Sequence, residues 1–228
     1  MQKNIRLSLL IIAVSILTLL SCSKETEEAP DSGSGYFPVE NGQYVKYQVE
    51  SIIWDDNAQT VDTFYYQLQT IIDTQFVDNE GRVSYRWTQL KKTDTTQWAY
   101  VHTYAITKTE SRLETVEGNN RYVRMAFPVR LSAIWNVNAF NTLDKLNAKY
   151  IDVDASKSIG GKMFDKCAIA ILEDNSSLIN EYYQEDIYAR GIGLISRIDK
   201  HIDKKITGEI VKGYKNVYTI YESGIISY

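Results

Sequence analysis

The chain is short of the residues that most often carry chemistry, and each shortage excludes something. It has two cysteines, Cys22 and Cys167, too few for a disulfide framework and able to form no bridge at all once Cys22 is acylated, so stability must come from an ordinary core. It has two histidines, His102 and His201. A Ser-His-Asp triad would have to recruit one of them, and nothing beside either marks a nucleophile. Three prolines in 228 residues leave hydrogen-bonded ladders almost uninterrupted. No stripe of clustered Lys and Arg appears, which argues against a nucleic-acid partner. A phosphate loop is missing too. Gly191-Ile192-Gly193 lacks a third glycine and a following helix, and Ser158-Ile159-Gly160-Gly161-Lys162 has the wrong spacing. Both read as turns between strands.

What the chain has in surplus is tyrosine, 17 of them, and aromatic enrichment favours strands. Alternation with a period of two recurs through most of its length. Val45, Tyr47 and Val49 oppose Lys46, Gln48 and Glu50; Phe64, Tyr66 and Leu68 oppose Tyr65, Gln67 and Gln69; Val83, Tyr85 and Trp87 form a third stripe. Trp98, Tyr100, His102, Tyr104 and Ile106 make the longest one. Later stripes run through Cys167 to Ile171, Tyr183 to Ile187, Leu194 to Ile198 and Tyr214 to Ile220. Turn signals such as Asp78-Asn79-Glu80-Gly81 and Glu117-Gly118-Asn119-Asn120 lie between them. The expectation is an all-β domain of about ten antiparallel strands, a single strongly curved sheet or half-barrel wetted on one side. Residues 131–146 break the rhythm and predict one short helix or a long loop, pinned by Trp135, Phe140 and Leu143.

The start of the chain is of another kind. Lys3 and Arg6 precede an apolar run from Leu7 to Leu20, and Ser21-Cys22 follows. That run is short of the roughly 20 residues a membrane span needs, and it fits a signal-peptide core. The segment resembles a bacterial lipoprotein signal, which implies cleavage before Cys22, acylation of that cysteine, and a lipid anchor with no spanning helix. With Lys3 and Arg6 removed, 23 basic residues remain against 29 acidic ones, a net charge near −6. Ser23 to Glu28 is similar to the export signal of surface lipoproteins of the Bacteroidetes; a plain solvated acidic linker reads equally well. Ala29 to Gly35 is a spacer by composition, giving a tether that reaches on the order of 20 Å. The expected division is therefore 1–21 signal peptide, 22–35 lipidated cysteine and acidic tether, and 36–228 a single β-rich domain.

Three stretches carry a wider resemblance. Phe37-Pro38-Val39-Glu40-Asn41-Gly42-Gln43-Tyr44-Val45-Lys46-Tyr47 is similar to the opening of many uncharacterised Bacteroidetes lipoproteins, with Tyr44 where those usually have Trp. Phe127-Pro128 with Trp135 to Asn141, and Tyr188 to Ile195, resemble their middle and C-terminal motifs. The layout also resembles, more distantly, the curved half-barrel of lipoprotein carriers of the LolA/LolB type. This implies an outer-membrane lipoprotein on the periplasmic or cell-surface face, and assigns no chemistry. Asp94-Thr95-Thr96 matches a short Bacteroidetes O-glycosylation pattern.

Few side-chain groups stand out as sites. Asp199, His201 and Asp203 alternate on one strand face and have the donor types of a divalent metal site, but neighbouring Lys200, Lys204 and Lys205 read as a solvated strand end. Asp152 and Asp154 share a face, which seldom lets two carboxylates flank one bond. Cys167 lies among Ala168, Ile169 and Ala170 and reads as a core thiol. The aromatic surplus, Trp54, Trp87, Trp98, Tyr100 and Tyr104, suits either a filled core or an apolar cup. The resulting expectation is a non-catalytic envelope lipoprotein with no cofactor and no metal. Its partners are the membrane, through lipidated Cys22, and a lipid or other amphipathic ligand lined by Trp87, Trp98, Tyr100 and Tyr104. A surface module for glycan or protein contact is the alternative, and a metal-dependent hydrolase a third.

Overall fold

Twelve strands account for nearly all the regular structure. The computed structural model describes residues 31–94 and 96–226, so the signal segment, Cys22 and most of the tether, together with Thr95, lie outside the described residues. The strands are β1 (Gln43–Asp55), β2 (Thr60–Val77), β3 (Val83–Lys92), β4 (Ala99–Lys108), β5 (Arg112–Glu117) and β6 (Asn120–Ala126). After a connection come β7 (Ile134–Asn136), β8 (Asn147–Ile159), β9 (Lys162–Ser176), β10 (Asn180–Ala189), β11 (Gly193–Lys204) and β12 (Ile210–Ile225). One sheet holds them all, in the order β6-β5-β4-β3-β2-β1-β12-β11-β10-β9-β8-β7. Every neighbouring pair is antiparallel.

Apart from β6 and β7, strands adjacent in sequence are adjacent in the sheet, and β1 pairs with β12 from Gln43↔Ile225 to Trp54↔Gly213. The meander therefore curls into a nearly closed barrel whose one gap lies between β6 and β7. That gap is stitched by the Val123 N–H donating to Val137 O (2.8 Å) and Trp135 Nε1 donating to Val123 O (3.0 Å). No helix among the described residues is long and apolar enough to cross a membrane.

Residues 131–146 form the long loop of the two expected alternatives, interrupted by the three-residue β7. Amides hold this loop more than aromatics do. Asn136 Oδ1 accepts from the N–H groups of Asn138 and Leu146, and Asn138 Nδ2 donates to Asp144 O. Trp135 is buried, whereas Phe140 and Leu143 are exposed. Twelve strands stand against the expected ten or so, and β5, β6 and β7 are among those that no sequence stripe marks. In β5 the alternation is hidden, because Leu113, Glu114 and Thr115 are buried in succession. Glu114 is held there by Arg82, Arg112 and Arg121.

One end of the barrel is closed by the chain's own lead. Tyr36 is fully buried and its hydroxyl donates to Asp154 Oδ1 (2.7 Å). Phe37 meets Trp87 and Tyr188 edge-on, with ring centroids 6.1 and 6.2 Å apart. Lys108 Nζ, its pKa lowered by burial, donates to Ser34 O and Phe37 O. Composition reads Gly33 and Gly35 as spacer, yet the structure builds them in. Gly33 has φ +74° and a Cβ there would fall 2.6 Å from Val129 Cβ, so only glycine fits. Ile226 N–H donates to Gly42 O, so the C-terminal end of β12 lies at this end too.

The β8–β9 hairpin is bent, with register shifts along β8 and positive φ at Asp154 and Lys166. Its tip folds back across the sheet, and Lys162 Nζ donates to Tyr221 O in β12. Beneath it Cys167, Ile169, Ile187, Ile195 and Ile220 belong to one apolar cluster. Burial raises the Cys167 pKa, which leaves an unreactive thiol.

Candidate functional site

Above the plug the barrel stays open. A cavity of about 440 Å³ lies at the end opposite the lead, within the range of small-molecule sites. Below it, around Phe37, Trp87 and Leu194, the interior is packed with side chains, and the voids between them hold about 10 Å³ each. Trp87 forms the floor, flanked by Tyr104 with centroids 6.1 Å apart.

The walls follow from register. Residues directly opposite one another in antiparallel strands share a face. Glu173, Gln184 and Asp199 form one such row across β9, β10 and β11. Asp186, Arg197 and Tyr218 form the next, across β10, β11 and β12. Tyr182, His201 and Tyr214 form a third at the rim, where His201 is stacked between the two tyrosines at 4.7 and 5.5 Å. Glu117, Tyr122 and Arg124 complete the opposite wall, and Asn138, Leu143 and Leu146 of the long loop edge the mouth.

Most of the charge here is already matched. Asp186 is fully buried behind Arg197, which grips it with two bonds of 2.7 and 2.6 Å while Tyr188 adds a third of 2.8 Å. Burial opposes ionisation of Asp186, but the guanidinium outweighs it and the pKa is lowered. Arg124 holds Glu117 in the same way, with burial again outweighed. His201 Nε2 lies 3.0 Å from Glu173 Oε2. Asp199 differs. No hydrogen bond to its carboxylate is found among the described residues, and burial raises its pKa against the pull of Arg197. Burial also raises the phenol of Tyr214 to about 12 and pushes up those of Tyr104 and Tyr218, so these three are neutral.

Of the aromatics expected to line a cup, Trp87 and Tyr104 face this cavity. Tyr100 is 66% exposed, and Trp98 lies outside the lining, beneath Lys92 Nζ. A β-bulge is the cause. Gln89 pairs with His102 but Leu90 pairs with Tyr100, so Val101 is an extra residue and Tyr100 turns to the other face. His102 is exposed beside Tyr104.

Asp199 and His201 both line the cavity, but Asp203 turns to Tyr182 and Lys212. No group of three metal-type ligands converges among the described residues. Asp152 and Asp154 part company as well, one facing Lys157 and the other holding Tyr36. Gly191 and Gly160-Gly161 lie in tight turns between strands. Sequence reasoning passed over Arg197, Arg124, Glu117, Glu173 and Tyr214 as lining groups. The alternation Asp199, His201, Asp203 is visible in the sequence, but a bulge at Ile195 shifts the phase of β11, and cross-strand partners cannot be read without register.

No family model matches the sequence, and no curated protein does. Among solved structures it is similar to one described as an exported protein with a YmcC-like fold from Bacteroides fragilis, at 8% identity and a TM-score of 0.42, covering 82% of this chain and 98% of that one. It is similar to one described as a lipoprotein from Parabacteroides distasonis, also at 8% identity and 0.42, with 83% and 98% covered. A domain described as an outer-membrane lipoprotein-sorting protein from Vibrio parahaemolyticus matches at 10% identity and a TM-score of 0.21, covering 86% of this chain and 89% of that domain.

Proposed function

We propose that the protein is a non-catalytic lipoprotein of the cell envelope, anchored in the outer membrane through acylated Cys22, which binds a saccharide in the open end of its barrel. One observation carries the choice of ligand. The cavity lining mixes aromatic side chains, Trp87, Tyr104, Tyr122 and Tyr214, with charged and amide groups, Glu117, Arg124, Gln184 and Asp199. Sugar rings present both an apolar face and a fringe of hydroxyls, and such walls answer both. An acyl chain would strip water from those polar groups without replacing it, at a cost of roughly 1–3 kcal/mol for each one left unpaired. The apolar cup that an acyl chain needs is instead occupied by Tyr36, Phe37 and Trp87. The chain enters the folded unit at the closed end, so the mouth lies at the far end from Ser32.

The test is a titration of the unit from Ser32 onward, whose sheet and core are complete within it, followed by mass spectrometry of anything that co-purifies. Oligosaccharide binding that perturbs the Tyr104, Tyr214 and Tyr218 ring resonances is the expected result. Stoichiometric fatty acid or phospholipid in the purified unit, displacing no sugar, would overturn it.

A further inference from the structure

We infer that the cavity selects a saccharide carrying a protonated amine, with Asp199 as its counter-ion. This rests on the saccharide reading above and adds the chemical class. Glu117, Glu173 and Asp199 face the space and Asp186 stands behind it, against the guanidiniums of Arg124 and Arg197. The four carboxylates outnumber the two guanidiniums by two. The carboxylates are not equal. Arg197 is occupied by Asp186 through both oxygens, Arg124 by Glu117, and Glu173 lies against His201. Asp199 alone of the lining acids faces the space with its hydrogen-bonding capacity unspent, and burial holds its pKa up.

A half-buried carboxylate in that state is stabilised by an arriving cation that restores its charged form. The aromatic side chains of the lining fit the same choice, because a ring face that meets the ligand attracts an ammonium group and repels an anion. The tyrosines cannot compete as acids, since burial keeps them protonated. A neutral sugar would find the same stacking surfaces but would leave Asp199 unpaired. An acidic sugar would meet the excess negative charge.

The experiment uses three probes on the unit from Ser32 onward: the disaccharide of two glucosamines with free amines, its di-N-acetyl form, and choline. At near-neutral pH the free-amine disaccharide is expected to bind at least about tenfold tighter than the acetylated form, as a charge-assisted hydrogen bond would give. Asp199→Asn should bring that ratio close to one, whereas Glu40→Gln, the same charge change at an exposed position beside the lead, should leave it in place. Circular dichroism and the melting temperature check the fold of Asp199→Asn, which should melt no lower than the parent because a costly buried acid is gone. Equal or tighter binding of the acetylated form, or an amine preference that survives Asp199→Asn, overturns the inference while leaving the saccharide reading intact. Binding of choline alone upholds Asp199 as a counter-ion and sinks the saccharide reading. Binding of none of the three overturns both.

Discussion

Asp186 and Arg197 are the most consequential pair of residues in the barrel, one wholly out of water and the other 19% exposed to the cavity. They sit opposite each other on β10 and β11, so the contact is set by register. Removing one partner of a buried pair strands the other, typically at about 3–5 kcal/mol. Asp186→Asn is expected to cost that much in urea unfolding at neutral pH. The pH dependence has a definite sign. The folded pKa of Asp186 lies below its unfolded value of about 3.9, so its contribution is full above that value and is lost as pH falls through the lower folded one. The gap between parent and Asp186→Asn should therefore narrow only in strong acid; a gap already closed near pH 5 would contradict it. None of this was legible from the sequence. Asp186 and Arg197 are eleven residues apart in an ordinary polar stretch, and only the cross-strand partner makes either of them special.

At the scale of strands, period-two alternation was legible because each strand has a core side, and the turns between strands were legible from glycine, asparagine and aspartate. Bulges were not. A single extra residue at Val101 or Ile195 moves every later side chain to the other face, and nothing in the local composition marks it. This is why Trp98 and Tyr100 were read as partners of Tyr104, and why Arg197 was passed over. Gly213 shows how tightly β11 and β12 are drawn together beside the rim. Its φ is +133°, and a Cβ there would lie 2.0 Å from His201 O. Gly213→Ala should cost more than the roughly 1–3 kcal/mol of the backbone conformation itself, because the two strands must also part. Gly208→Ala, with φ +88° and nothing within 4 Å of its Cβ, should cost only the conformational part. Parting the strands would also disturb the stack of His201 on Tyr214, so ring resonances at both should shift in Gly213→Ala alone. Equal losses of stability in the two variants would mean the close approach is not real.

The whole molecule is a meander wound into a barrel, stoppered at one end and open at the other. The winding follows from short hairpins and few prolines, which is why an all-β curved sheet could be read in advance. The stopper could not, because a Ser/Gly-rich lead looks the same whether it is a tether or a plug. The difference lies in what waits for it inside. Lys108 offers an ammonium to two backbone carbonyls, Asp154 offers a carboxylate to Tyr36, and Trp87 and Tyr188 offer ring edges and faces to Phe37. A lead that merely lay against the barrel would tolerate Phe37→Ala with a loss within about 0.5 kcal/mol, as exposed positions do. A plug would not, since emptying a buried aromatic site costs about 3–5 kcal/mol. Urea unfolding of Phe37→Ala is expected to give the larger figure. Because Phe37 touches Trp87, which is also the floor of the cavity, the same variant should loosen the floor and weaken ligand binding from below. Full stability with unaltered Trp87 fluorescence would show that the barrel closes without its lead, and the stopper would have to be sought elsewhere in the chain.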